Sequence, residues 1–153
     1  MIKSIYVAKQ RRGEQHAVPE IRLIANRGIV GDRNFDKSKW PGQNITFVEA
    51  EEIARYNGAY GQAIAEHATR RNVVTEGIRL NDLVGREFSV GGVRFRGVEL
   101  CEPCAILGQL LSNESLAKKD VVKAWVGRGG LRADVLSDGI LAVGMRFDLS
   151  ENA

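Results

Sequence analysis

Several residue types and patterns are scarce in this chain, and each scarcity removes a class of function. Its 153 residues contain no apolar run approaching the ~20 needed to cross a bilayer. The opening segment, MIKSIYVAKQRRGE, lacks the apolar core of a secretory signal. No membrane association is therefore expected, and the cytoplasm is the expected location. There are two cysteines, both in one Cys-x-x-Cys, which is too few for the disulfide framework of a small secreted protein. Their pairing suggests metal or redox chemistry in a reducing compartment. Charge of one sign is also lacking. Lys and Arg number 22 against 19 Asp and Glu, a net +3, with the arginine-rich stretches separated by acidic ones. A specific nucleic-acid partner is not expected from that balance.

Missing motifs narrow the field further. No Walker A loop, dinucleotide-binding glycine fingerprint, His-Glu-x-x-His or Gly-x-Ser-x-Gly is present. Two histidines, His16 and His67, give little support to a Ser-His-Asp triad, and neither lies at finger-like spacing from the cysteines. The prolines are Pro19, Pro41 and Pro103, so none follows the cysteines as the cis-proline of a thioredoxin-like dithiol would.

The length suits one domain over residues 1–153. Ile2 to Ala8, Ile21 to Ala25, Gln43 to Val48, Asn72 to Thr75, Glu87 to Val90 and Val93 to Leu100 read as extended segments, the last two hinged at Gly91-Gly92. Leu131 to Leu136 alternates, Asp138-Gly139 makes a turn, and Ile140 to Val143 is expected to return as its partner strand. Gly144 to Leu149 is expected to close the chain as another strand. Glu49 to Tyr56, acidic in its first turn, reads as a helix that Gly58 and Gly61 interrupt. A short helix is expected at Ala105 to Leu111, and Val121 to Val126 fits helix or strand. Many strands and few helices imply a mainly β, barrel-like or sandwich fold rather than alternating βαβ units.

The chemistry centres on Leu100-Cys101-Glu102-Pro103-Cys104-Ala105. A thiolate is both a nucleophile and a soft metal ligand, and a following helix would set backbone N–H groups beside Cys104. Read as residues alone, the pair could be small core hydrophobes, a partial zinc site, or one thiolate holding a softer metal. The last choice requires an anion site for a charged cofactor. Arg70-Arg71-Asn72 before a strand and Gly127-Arg128-Gly129-Gly130 as a basic loop are candidates, each competing with an ordinary surface turn.

The order of these segments resembles the MOSC domain family, named after the C-terminal part of molybdenum cofactor sulfurase. The resemblance runs through Gly28-Ile29-Val30-Gly31-Asp32-Arg33, Arg70-Arg71-Asn72, Leu80 to Gly85 with Phe88 to Gly91, Cys101 to Cys104, and Arg128-Gly129-Gly130-Leu131-Arg132. It covers roughly residues 1 to 149 and is looser before residue 40. Asn34 departs from it, standing where many small members have His. The resemblance implies a β-barrel-centred fold and a molybdenum cofactor (molybdopterin). It makes Cys104 the metal ligand and catalytic residue, and Arg70 and Asn72, with Arg128 and Arg132, the contacts to the anionic pterin. The implied activity is oxygen-atom transfer, reducing N-hydroxylated substrates. One alternative is a non-enzymatic carrier holding sulfur as a persulfide on Cys104. Another is an interaction domain with a vestigial pocket. Pyridoxal phosphate is not expected on this chain, so a cysteine desulfurase, or a redox protein, would enter as a partner.

Overall fold

The structure, a computed structural model, describes residues 1–103 and 105–149, at 105 and 106 the backbone alone. Its strands are β1 (Ile2–Val7), β2 (His16–Ala17), β3 (Glu20–Ile24), β4 (Gly28–Ile29), β5 (Ile45–Glu49), β6 (Val73–Thr75), β7 (Glu87–Val90), β8 (Val93–Leu100), β9 (Leu131–Val135), β10 (Gly139–Ala142) and β11 (Phe147–Asp148). The helices are α1 (Ala50–Tyr60), α2 (Ala105–Leu111) and α3 (Lys118–Trp125). Among the described residues, eight strands form a curled half-barrel sheet in the order β11-β7-β8-β9-β5-β6-β1-β2. A separate three-stranded sheet runs β10-β3-β4. No helix is long and apolar enough to cross a membrane.

The central strands explain the layering. In β5, Phe47 and Val48 are both fully buried, as are Val73 and Val74 in β6. Successive side chains leave a strand on opposite faces, so both faces of this part of the sheet are covered. Phe47 and Val73 join the interior cluster, which includes Ile5, Leu23, Phe88, Phe95, Leu131, Val135 and Leu141. Val48 and Val74 face a second cluster made by α1, α2 and α3, with Ile53, Tyr56, Leu107, Val121 and Trp125. Double burial is typical of parallel strands, and β5 and β6 are parallel, joined through α1. Inside the barrel, Phe47 meets Phe95 edge-on at 5.6 Å between ring centroids. Phe88 stacks on Phe95 and Phe147 at 5.4 and 5.6 Å. Offset and edge contacts of this kind add about 0.5–1.5 kcal/mol each beyond burial.

The mainly β expectation holds, with three local corrections and one ambiguity resolved. The helix α1 continues through Gly58 and stops at Gly61, whose φ of 63° forms a left-handed cap. One exposed glycine costs a helix only about 1 kcal/mol, so the packing of Ile53 and Tyr56 prevails. The ambiguous segment near Val121 is helical. Ile140 to Val143 does not return to β9. Its strand β10 pairs instead with β3, from Gly139 opposite Leu23 to Ala142 opposite Glu20. Asp138 diverts the chain, because its Oδ1 accepts the Ala25 N–H at 2.8 Å and ties the turn to the end of β3. The closing strand is also shorter than expected, only Phe147–Asp148, after a turn at Gly144. Elsewhere the hairpin of β7 and β8 turns at Gly91 and Gly92, with φ of 55° and 84°, as a tight two-residue turn requires.

Candidate functional site

The site is organised by Asp32. Its side chain is 1% exposed, and its Oδ1 accepts the Ala8 N–H at 3.1 Å and an Arg33 N–H at 3.3 Å. Oδ2 accepts the Asn34 N–H at 3.2 Å. The backbone N–H of Arg33 in turn donates to the Ala8 carbonyl at 2.7 Å. One buried carboxylate thus joins the Gly31–Asn34 turn to the end of β1 and fixes Arg33, whose side chain is 15% exposed.

Arg70 lies within electrostatic reach of this turn. It ends the 3-10 turn Glu66–Thr69 at a φ of 61°, a left-handed conformation uncommon outside glycine. Burial pushes its pKa down and the nearby Arg33 charge pushes it further, while Asp32 opposes. Two guanidinium groups therefore lie close enough to disfavour one another. The Arg70 Nη2 is buried and carries no hydrogen bond. Arg70, Arg12, Gln109 and Leu110 line a cavity of about 450 Å³. Arg12 also holds a left-handed φ, 59°, and neither it nor Arg70 has an ion pair among the described residues.

Asn72, two residues on, is used differently. It is 3% exposed, and its Oδ1 accepts both the N–H and the hydroxyl of Thr46 at 3.1 Å. Its Nδ2 donates to the Tyr6 carbonyl at 3.3 Å, and its backbone N–H to the Thr46 hydroxyl at 3.0 Å. Asn72 thereby clasps β1, β5 and β6 together. It also borders a smaller polar cavity of about 120 Å³, shared with Asn34, Lys37, Gln43 and Arg132. The Arg132 Nε lies 3.8 Å from Glu99, a half-exposed and weak pairing.

Arg128 stands elsewhere. It donates to both Glu52 oxygens, at 3.1 and 3.3 Å, on α1 beyond the far end of β5. Glu52 also takes Arg55 at 2.8 Å and Arg79 at 3.4 Å. Burial would raise the Glu52 pKa, but the hydrogen bonds and charges of Arg55 and Arg128 outweigh it and hold the group below its ordinary value. Glu49, nearby, goes the other way, raised chiefly by burial despite the Leu80 N–H and Arg79. The structure therefore groups the sequence-derived residues as Arg70 in one cavity, Asn72 with Arg132 in a second, and Arg128 in an ion cluster.

The glycines beside Arg128 serve close packing. A Cβ at Gly130 would lie 1.9 Å from the Phe47 carbonyl oxygen, and one at Gly129 would lie 2.2 Å from that of Cys101. The Gly129 carbonyl accepts Arg71 Nε at 2.9 Å and the Gly130 carbonyl accepts the Cys101 N–H at 2.7 Å. This loop presents its carbonyls to Arg71 and Cys101, and its glycines are required by backbone contact.

Residues 33–148 match the family model of the MOSC domain. The chain belongs to the MOSC domain family. Among solved structures, the YuaD protein of Bacillus subtilis superposes with a TM-score of 0.82 at 18% identity, over 95% of this chain and 92% of that one. YiiM of Geobacillus stearothermophilus gives 0.71 at 17% identity, over 96% and 74%. YiiM of Escherichia coli gives 0.69 at 15%, over 96% and 68%. At these identities the likeness is one of fold. No curated protein matches the sequence significantly.

Within this MOSC chain the two cysteines are not equivalent in what can be said of them. Cys104, the expected metal ligand and catalytic residue, lies outside the described residues. Cys101 is 1% exposed, and burial raises its thiol pKa, with Arg71 and Arg132 opposing too weakly to reverse it. At neutral pH it is a protonated core thiol, which suits packing and not nucleophilic attack. Among the described residues no three His, Cys, Asp or Glu side chains gather as a metal cage.

Sequence reasoning gave Arg12 and Arg33 no role in the site. Arg33 stood in the Gly-Asp-Arg segment without a ligand role. Arg12 lies in a uniformly polar stretch, where no periodicity separates a pocket residue from a solvated one.

Proposed function

We propose that this MOSC protein binds the molybdenum cofactor and reduces N-hydroxylated substrates by oxygen-atom transfer. The observation that carries the reading is Arg70 itself, a cavity-lining guanidinium whose Nη2 is buried without a hydrogen bond and which feels the charge of Arg33. A partly desolvated guanidinium near a like charge, with one buried N–H group unmatched, is more favourable when an anion approaches it. A phosphate monoester fits this donor set. Arg12, Arg33 and Arg70 carry three positive charges, Asp32 removes one, and the remaining two match a dianionic group. Arginine forks suit phosphate oxygens better than lysine does.

In this reading Arg70 and Arg12, which line the cavity, hold the phosphate, and Arg33 adds its charge from beside Arg70. Asp32 acts through them, orienting Arg33 and pinning the turn that carries it. Asn72 positions the strand that follows Arg70. The bound cofactor supplies the metal chemistry of oxygen transfer, and Cys104 is the ligand that the family resemblance assigns to it. An electron-donating partner protein is part of the proposal, as is the cytoplasm as its setting.

Arg70→Ala is expected to weaken cofactor retention by about 1–3 kcal/mol, read as pterin fluorescence and molybdenum content after matched dialysis. Retention equal to the parent's in both measurements would place the anion elsewhere and remove the basis of the reading.

A further inference from the structure

The cavity that Arg70 lines borders a second lobe of about 270 Å³, and Arg70 and Leu110 are common to both. His67 lines this lobe, and histidine is the side chain whose charge ordinarily changes between about pH 5 and 8. Two contacts fix it. Its carbonyl accepts the backbone N–H of Arg70 at 3.0 Å, and its ring packs on Tyr6 of β1 with centroids 5.9 Å apart. The residue is nonetheless exposed, so solvent protons reach it. The charged groups around it come from few places. Glu14, exposed before β2, is the one carboxylate among the described residues lining the lobe. Glu66 and Arg70 flank His67 in its own turn, and Lys3 of β1 pairs with Glu66 at 2.5 Å. Arg12 lines the adjoining cavity, while α2 contributes the uncharged Leu110 and Leu111. Arg70 apart, the charge of the lobe therefore depends on His67. With a neutral ring, Glu14 leaves it negative and repels an anion held by Arg70. With a protonated ring the two charges cancel.

We infer that the anion site at Arg70 takes up a proton on His67 together with its anion, so that anion retention strengthens as pH falls. This inference rests on the proposed anion role of Arg70 and assigns the regulation of that site. Coupling of this kind is reciprocal. If protonated His67 favours the anion, the bound anion must equally hold the proton on His67. For charges a few ångströms apart at a partly exposed site, the expected effect is about three- to tenfold in anion affinity. The same coupling appears as a rise of about 0.5–1 pH unit in the midpoint at which His67 titrates once the anion is saturating. Sulfate is the suitable probe, because it offers oxygens like those of a phosphate group and stays dianionic throughout this range. Phosphate itself changes charge there and would mask the proton on the protein.

The chain supplies its own reference. It has two histidines, and His16, exposed on β2, is not among the described residues lining either cavity. The ring resonances of both are followed by NMR from about pH 5 to 8, in sodium sulfate and in sodium chloride at matched ionic strength. His67→Gln assigns the two signals, and His16→Gln does so equally well should the first variant fold poorly. Sulfate is expected to raise the His67 midpoint by about 0.5–1 pH unit over chloride and to leave that of His16 in place. Calorimetry of the parent should show sulfate binding about three- to tenfold tighter at the acid end of the range, and His67→Gln should remove that difference. In Arg70→Ala sulfate binding should weaken at every pH and the rise at His67 should vanish. An unmoved His67 midpoint, with sulfate still bound through Arg70, would overturn the coupling and leave the anion reading standing. Equal movement of both histidines would overturn it too, as a response of the whole surface to salt. Sulfate binding that is absent from the parent, or indifferent to Arg70→Ala, would remove the anion reading and this inference together.

Discussion

Asn72 and Arg70 stand two residues apart and play opposite parts in stability. The Asn72 amide is spent on Thr46 and Tyr6, so Asn72→Ala should destabilise the protein by about 2–4 kcal/mol, seen as a lower denaturation midpoint. Arg70→Ala should leave the ligand-free midpoint unchanged or raised, since it removes a partly desolvated charge facing Arg33. A large loss from Arg70→Ala and none from Asn72→Ala would reverse these roles. The sequence placed both residues in one segment, but it could not show that one amide is consumed by Thr46 and Tyr6, 26 and 66 residues away along the chain. The cysteines part similarly. Cys101 is buried and held protonated, so it should resist alkylation in the native state and react on unfolding. Cys104→Ser is expected to abolish molybdenum-dependent activity, while Cys101→Ser keeps a substantial fraction of it at a stability cost of roughly 1–3 kcal/mol. Equal and complete loss from both, in protein shown to be folded by circular dichroism, would favour paired-cysteine chemistry.

Helix α1 shows what local patterning reveals and what it leaves out. Its existence and acidic first turn were legible, because the periodicity and the charges are local. The role of Glu52 was not, because its partners Arg79 and Arg128 come from distant segments. The same limit explains β10. A turn sequence next to two strands reads as a hairpin, yet Asp138 and the register with β3 decide the pairing. Glu52 also gives the helix a testable pH dependence. Its folded pKa is below the ordinary value of 4.5, so its stabilising effect is present above that pH and lost as pH falls through the folded pKa. Glu49 is raised, so its effect has the opposite sign, favouring the folded state when protonated and fading as pH rises through its folded value. Glu52→Gln should therefore lower the melting temperature at pH 7, with the gap to the parent closing as pH falls below about 4.5. A gap that stays constant down to pH 3 would mean that the ion cluster around Glu52 contributes nothing through its charge.

At the scale of the molecule, fold class was the most legible feature, since strand alternation, glycine turns and segment order all pointed to the same mainly β architecture. The site was legible only in outline. Arg70 was found, but Arg12, which lines its cavity, and Arg33, held by Asp32 near it, come from a distant part of the chain, and no sequence interval records their meeting. The expected weakness of nucleic-acid binding belongs to this scale as well, because net charge is small and basic stretches alternate with acidic ones, while Arg12, Arg33 and Arg70 gather near one cavity. That concentration predicts a whole-protein response. An anion that binds the folded state alone stabilises it by RT ln(1 + [L]/Kd), about 2.7 kcal/mol at a hundredfold excess over Kd. For a protein of this size that corresponds to roughly 5–10 °C in melting temperature. Inorganic phosphate should raise the midpoint continuously with the logarithm of its concentration, whereas sodium chloride at matched ionic strength should raise it little, because screening has no site to saturate. Arg70→Ala and Arg33→Ala should each flatten the phosphate response. If chloride shifts the midpoint as far as phosphate does, or if both variants respond like the parent, these guanidinium groups form no anion site and the charge concentration is a property of the surface alone.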